Sequence, residues 1–159
     1  LCPGLTAIGP EEGDTVAIAG MGGENIAMIL SVAPWTADGR HTLLLQPQSR
    51  SEVLRAFLME GGYHITRERL VYDRGILYPV LEARGGEMRL DEGRLLAGAY
   101  IEEDPLGDQR LISLILRDFA ALAGLLRAGA GAGERAEALR REITALITLR
   151  EEWRHANGT

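Results

Sequence analysis

Hydrophobic positions in the first half of the chain fall in short unbroken runs, whereas in the second half they fall in stripes at helical spacing. Asp14-Thr15-Val16-Ala17-Ile18-Ala19 is a largely apolar run that empties into Gly20-Met21-Gly22-Gly23, and Asn25-Ile26-Ala27-Met28-Ile29-Leu30 then resumes with helical character. A run of that length predicts a buried strand. The glycines mark a loop that must take positive φ or approach another group with no Cβ in the way. Pro34 and Gly39 punctuate the next loop, and His41-Thr42-Leu43-Leu44-Leu45 predicts a second buried strand ending at Gln46-Pro47-Gln48-Ser49. With Ser51 as N-cap, Glu52 to Glu60 predicts a helix carrying Val53, Leu54, Phe57 and Leu58 on one face, stopped by Gly61-Gly62. From His64 to Arg84 two extended runs, Ile65 to Val71 and Ile76 to Ala83, flank Tyr72-Asp73-Arg74-Gly75, which is turn chemistry for a hairpin.

Gly85-Gly86, Asp104-Pro105 and Gly107 punctuate a predicted linker. Beyond it, Ile112, Ile115, Phe119, Leu122 and Leu126 recur at alternating spacings of three and four, as do Ala136, Leu139, Ile143, Leu146 and Trp153 after the break Gly129-Ala130-Gly131-Ala132-Gly133. Two such seams joined by a flexible loop predict an antiparallel helical hairpin, each seam burying itself on the other. Arg150 interrupts the second seam, so the pairing is expected to loosen or turn outward near Trp153. The layout is therefore an α/β domain over 1–84, a linker over 85–105, a coiled-coil-like hairpin over 106–154 and a tail over 155–159. The stripes read as core packing, not as a cofactor site.

Composition narrows the function classes. The chain has 159 residues, 46% hydrophobic and 25% charged, which suits a folded domain with an appendage and excludes disordered and fibrous classes. Its longest apolar segment, Leu111 to Leu126, is broken by Arg117 and Asp118, short of the ~20 residues of a membrane span, so no membrane partner and a cytoplasmic location are expected. The single cysteine, Cys2, permits no internal disulfide and is given no role. His41, His64 and His155 are scattered without ligand spacing, and no metal is expected. A net charge of −6 argues against indiscriminate nucleic-acid binding while leaving room for a local basic face. The absence of lysine is a trait of genomic composition and assigns no partner.

In an open α/β sheet a strand-to-helix junction such as Ala19 to Gly23 is where ligands bind. The spacing is not G-x-G-x-x-G and no acidic residue follows at the proper strand end, which counts against a nucleotide-binding oxidoreductase. A non-catalytic RNA- or protein-interaction fragment built on the helical hairpin stands as the alternative to an enzyme.

Two strand-helix repeats followed by a hairpin match the second half of a class I methyltransferase sheet, a Rossmann-like α/β fold whose last strand inserts antiparallel. Ile18-Ala19-Gly20-Met21-Gly22-Gly23, Ile29-Leu30, Leu44-Leu45-Gln46-Pro47, Leu54-Arg55 with Gly62-Tyr63-Ile65, and Glu68 followed by Asp73 and Tyr78 together resemble the bacterial tRNA (adenine(22)-N(1))-methyltransferase family, from about Asp14 to Ala83. The helical tail is also in character. The resemblance implies S-adenosyl-L-methionine as cofactor and tRNA as partner, with the main donor motifs upstream of this chain. Because the chain opens on Leu1 and is soon inside a core strand, it is expected to be the back half of such an enzyme.

On this reading the candidate catalytic residues are Gly20, Met21, Gly22, Gly23, Gln46 and Pro47, and Ala19, Gly20 and Met21 face the cofactor. Adenine N1 carries an in-plane lone pair at neutral pH, so attack on an activated methyl needs positioning more than a base, and positioning can supply roughly 7 to 11 kcal/mol. Met21 offers an apolar surface and Gln46 both a donor and an acceptor to an adenine edge. Met21 also reads as interface filler and Gln46 as a turn cap. Glu68, Asp73 and Tyr78 belong to the resemblance but read equally as a strand surface, a turn and packing beside Pro79. Arg50, Arg55, Arg67, Arg69 and Arg74 cluster near the expected mouth, and Arg127, Arg135, Arg140 and Arg141 flank the helical turn. Of these, Arg50, Arg55, Arg127, Arg135, Arg140 and Arg141 are the candidate RNA contacts. A homodimer through the hairpin is the competing use of that element.

Overall fold

The structure, a computed structural model, describes residues 4–129 and 133–158. Cys2 and residues 130–132 of the glycine-alanine loop lie outside them. The chain divides into two compact units, Leu1–Leu90 and Asp91–Thr159.

In the first unit, strand β1 (Thr15–Met21) leads to helix α1 (Gly23–Ser31), β2 (Thr42–Pro47) to α2 (Ser51–Glu60), and β3 (Tyr63–Asp73) to β4 (Ile76–Gly85). The four strands form one sheet in the order β1-β2-β4-β3. β1 and β2 are parallel, and β4 inserts antiparallel between β2 and β3. That is the arrangement the resemblance to a class I methyltransferase sheet implies.

Period-two alternation sets the core. Leu43, Leu45, Leu81 and Ala83 are fully buried and share a sheet face with Ile18, against Ile26, Leu30, Leu54 and Leu58 of the helices. Each buried leucine contributes about 1.5–3 kcal/mol. On the other face Ala17 is exposed and Leu44 is 41% exposed. The two strands read from the sequence as buried are thus buried on one face. An unbroken apolar run carries no signal of which face is covered, because both parities are hydrophobic.

In the second unit, Asp91 caps the short helix α3 (Glu92–Ala97) by accepting the Arg94 N–H at 2.8 Å. A 3₁₀ turn, Ile101–Glu103, follows, so the segment read as linker carries two helical elements. Helices α4 (Gly107–Arg127) and α5 (Glu134–Ala156) then pair antiparallel, with Arg150 Nε 2.6 Å from Asp108 Oδ1 tying the end of one to the start of the other. The second seam lies as expected, with Ala136, Leu139, Ile143 and Leu146 buried, and Leu149 extends it. Trp153 does not turn outward. Its indole N–H donates to the Asp104 carbonyl at 3.1 Å.

The first seam is displaced. α4 buries Leu111, Leu114 and Asp118, while Phe119 is 48% and Leu126 54% exposed. The helix is apolar around most of its circumference, so two neighbouring faces show the same spacing, and the buried Asp118 keeps one carboxylate oxygen, Oδ1, 2.7 Å from Arg117 Nε. No helix among the described residues is long and apolar enough to cross a membrane.

Candidate active site

The carboxyl ends of β1 and β2 lie side by side and their loops are fastened to each other. Ala19 pairs with Gln46 and Met21 with Pro47, so Gly20 between them is looped out as a bulge. Gly20 takes φ +79°, which an L side chain rarely adopts, and a Cβ there would meet nothing within 4 Å. Its N–H donates to Gln46 Oε1 at 3.0 Å. Further along, the Gln48 N–H donates to the Met21 carbonyl at 2.9 Å and the Gly23 N–H to the Ser49 carbonyl at 2.7 Å. The two loops are therefore one hydrogen-bonded surface, with α1 starting from its end at Gly22, the N-cap.

The glycines divide into two roles. Gly20 is exposed and open, whereas a Cβ on Gly22 would press on Ser49 Oγ at 3.1 Å and one on Gly23 would collide with the Arg50 carbonyl. Gly22 and Gly23 serve loop-to-loop packing. Gly23 and Pro47, candidate catalytic residues from the sequence, are both buried. Ala19 and Gly20 are exposed, and Met21 and Gln46 are half-buried at the surface of the junction. Because Gln46 Oε1 already accepts from Gly20, its carboxamide presents itself chiefly as a donor. Sequence reasoning left out Ser49, whose contact with the glycine loop is tertiary and has no linear signal.

Arg50 stands at the N-cap of α2 with φ +54° and pairs with Glu52 Oε1 at 3.0 Å and Glu24 Oε1 at 3.4 Å, keeping 57% of its side chain exposed. Arg55 is not a surface arginine. It is fully buried and donates through Nε to both oxygens of Glu68 at 3.1 Å, with Ser51 Oγ beside it. This corrects its assignment to RNA and explains Glu68, which is 4% exposed and not a solvated strand residue. The apolar face of α2 and the alternation of β3 happen to bring opposite charges together, and breaking such a buried pair from one side costs about 3–5 kcal/mol.

His41 is likewise spent on structure. It is buried between Asp38 Oδ1 and the Pro10 carbonyl, both at 2.8 Å. The bond to Asp38, then that to Pro10, raise its pKa above the ordinary 6.5. Burial pushes the Asp38 carboxyl up, but hydrogen bonds from His41 and Arg40 outweigh it and hold the group far below its usual range. In the second unit, Arg135 pairs with Glu142 at 3.3 Å and Arg140 with Glu137, while Arg127 and Arg141 are exposed and make no ion pair among the described residues. No group of three or more potential metal-binding side chains gathers among those residues.

The family described as a methyltransferase domain matches residues 1–81. A tRNA (adenine(22)-N(1))-methyltransferase of Bacillus subtilis is 36% identical over 84 residues, which is 53% of this chain and 35% of that protein. Among solved structures, a Streptococcus agalactiae protein of the NADB-Rossmann superfamily superposes with a TM-score of 0.80 at 25% identity, covering 94% of this chain and 66% of the other. A Streptococcus pneumoniae protein assigned as a tRNA (m1A22) methyltransferase, in complex with S-adenosyl-L-methionine, gives 0.75 at 26% identity, covering 92% and 65%. The chain thus spans about a third of the curated relative and just under two thirds of the solved ones. With the glycine loop and more than half the sequence inside the match, this chain belongs to the methyltransferase domain family.

Proposed function

We propose that this chain contributes the base-facing half of an enzyme that methylates N1 of an adenine in tRNA, with S-adenosyl-L-methionine as donor. The observation that carries the reading is the Gly20 bulge, an exposed turn of positive φ with no Cβ, held by Gln46 at the carboxyl end of two parallel strands. That cradle fits a ligand approaching the backbone closely. When bound, the donor supplies an electrophilic methyl on a sulfonium. Ala19, Gly20 and Met21 form the surface against which it rests, Met21 offers the apolar side toward a flipped base, and the Gln46 carboxamide donates to a ring acceptor. No residue here has to remove a proton from N1, so the work of the site is alignment and exclusion of water.

The Bacillus subtilis and Streptococcus pneumoniae relatives are named for methylation of tRNA, which supports tRNA as substrate here and, with it, a cytoplasmic location. Arg127 and Arg141 are exposed and make no ion pair among the described residues, which leaves them available for its phosphates, and Arg50, Arg135 and Arg140 join them by exchanging carboxylate for phosphate. A homodimer is the second reading for α4, favoured by its uncovered stripe of Leu116, Phe119 and Leu126.

Transfer of labelled methyl from S-adenosyl-L-methionine to unmodified tRNA, by a polypeptide carrying residues 1–159 in its genomic reading frame, tests the activity. Primer extension should stop at a single adenine. Methylation of another base or atom, or of none, overturns the reading.

A further inference from the structure

Every described non-glycine residue with positive φ is an arginine. Arg50 takes φ +54° at the start of α2, and Arg74 takes φ +48° in the turn between β3 and β4. The topology puts both at one end of the sheet. β4 runs antiparallel to β2 and β3 antiparallel to β4, so the Asp73 end of β3 lies on the same side as Gly20 and Gln46.

Pairing of β4 with β2 stops at Leu45↔Leu81, but β3 and β4 continue together from Arg69↔Val80 to Asp73↔Ile76. The two strands therefore run about 15 Å past the last β2–β4 pair at some 3.3 Å per residue, with Leu70 and Pro79 still buried and residues 71–76 exposed. The end of this ribbon sets exposed apolar and aromatic side chains beside the polar turn residues Asp73 and Arg74. Tyr72 is 56%, Ile76 52% and Val71 49% exposed. Arg67 and Arg74 are exposed and make no ion pair among the described residues.

Arg74 and Gly75, φ +48° and +88°, form a two-residue turn with both dihedrals positive, the kind that favours Asn-Gly. Arginine is a poor choice there for stability. A strained residue at an exposed tip is a reason to look for a task.

We propose that the free end of the β3–β4 ribbon is an RNA-contact surface: the Tyr72 ring stacks on an unpaired base while Arg74, with Arg50 at the same end of the sheet, holds backbone phosphate. The inference rests on tRNA being the substrate. Aromatic faces accept any base, and guanidinium groups meet phosphate through paired N–H donors, so the ribbon grips without reading sequence. It lies where nucleotides flanking a flipped base must pass. Arg50 reaches phosphate by releasing Glu24 or Glu52, both of which are at the surface.

The test is fluorescence anisotropy of the 159-residue chain with an end-labelled, unmodified tRNA transcript across a sodium chloride series. Tyr72→Ala should weaken binding about tenfold with the salt slope unchanged, and Tyr72→Phe should restore it. Arg74→Gly should lower the salt slope by about one counterion and weaken binding several-fold. The same variant should melt at a higher temperature, because glycine relieves the turn, so lost affinity cannot be ascribed to lost fold. Wild-type affinity in both Tyr72→Ala and Arg74→Gly leaves tRNA as the substrate and removes the ribbon from it. No binding of the transcript by the parent chain at any salt overturns both readings. A change in sedimentation with RNA affinity intact assigns the tip to a protein contact and overturns the proposal.

Discussion

At the scale of single residues, the glycine loop separates two kinds of constraint that look alike in sequence. Gly20 needs its dihedral and has space around it, whereas Gly23 has an ordinary dihedral and no space. Gly20→Ala should therefore cost about 1–2 kcal/mol of stability, from the left-handed backbone alone, and act mainly on turnover. Gly23→Ala should be the more destabilising change because the Arg50 carbonyl behind it is backbone and cannot rotate away. Thermal melts of the two variants check the order, and a Gly23→Ala protein as stable as Gly20→Ala would contradict the assignment. A second residue-scale outcome concerns pH. Folded His41 holds its proton more tightly than the unfolded chain does, through Asp38 and Pro10, so its contribution to stability is full below about pH 6.5 and fades as pH rises through the raised folded value. Stability of wild type and His41→Asn, measured from pH 5 to 9, should converge toward the alkaline end. A difference constant over that range would refute it.

At the scale of elements, α4 and α5 differ in what they leave outside. α5 buries most of its large apolar residues and leaves Ile147 among charges on its outer face, while α4 retains an apolar stripe. Arg127 on α4 and Arg141 on α5, both exposed, have no carboxylate partner among the described residues, unlike Arg135 and Arg140 nearer the start of α5. If they hold phosphate, the Arg127→Ala/Arg141→Ala double variant should lower the slope of log affinity for tRNA against log salt by about 1–2, with the helix content of the unit unchanged. An unaltered slope would leave the hairpin to packing or self-association.

At the scale of the whole molecule, the proposed donor contacts come from a single loop. A ligand of that size needs most of its surface enclosed to bind tightly, and Ala19, Gly20 and Met21 offer only one flank. Calorimetric titration of the 159-residue chain with S-adenosyl-L-methionine should accordingly give weak binding, in the millimolar range. Clear micromolar binding would mean that the donor site is contained in these residues.

Much of the architecture was legible in the linear pattern. Apolar run length, the positions of Gly and Pro, and Asp73-Arg74-Gly75 between two extended segments determined the strand and helix order and the hairpin, because these depend on local φ preferences and on periodicity within one element. The inserted antiparallel strand followed only from resemblance, since pairing partners are not encoded at any fixed spacing. Tertiary structure alone decided which face of β1 and β2 is covered, which of two equivalent stripes on α4 meets α5, and that Arg55 is buried against Glu68. It also decided that Gly23 is constrained by Arg50 and that the arginines at Arg50 and Arg74 share one end of the sheet. Each of these is a contact between segments distant along the chain. The residues on either side are individually compatible with several surroundings, and only the energy of the assembled neighbours selects one.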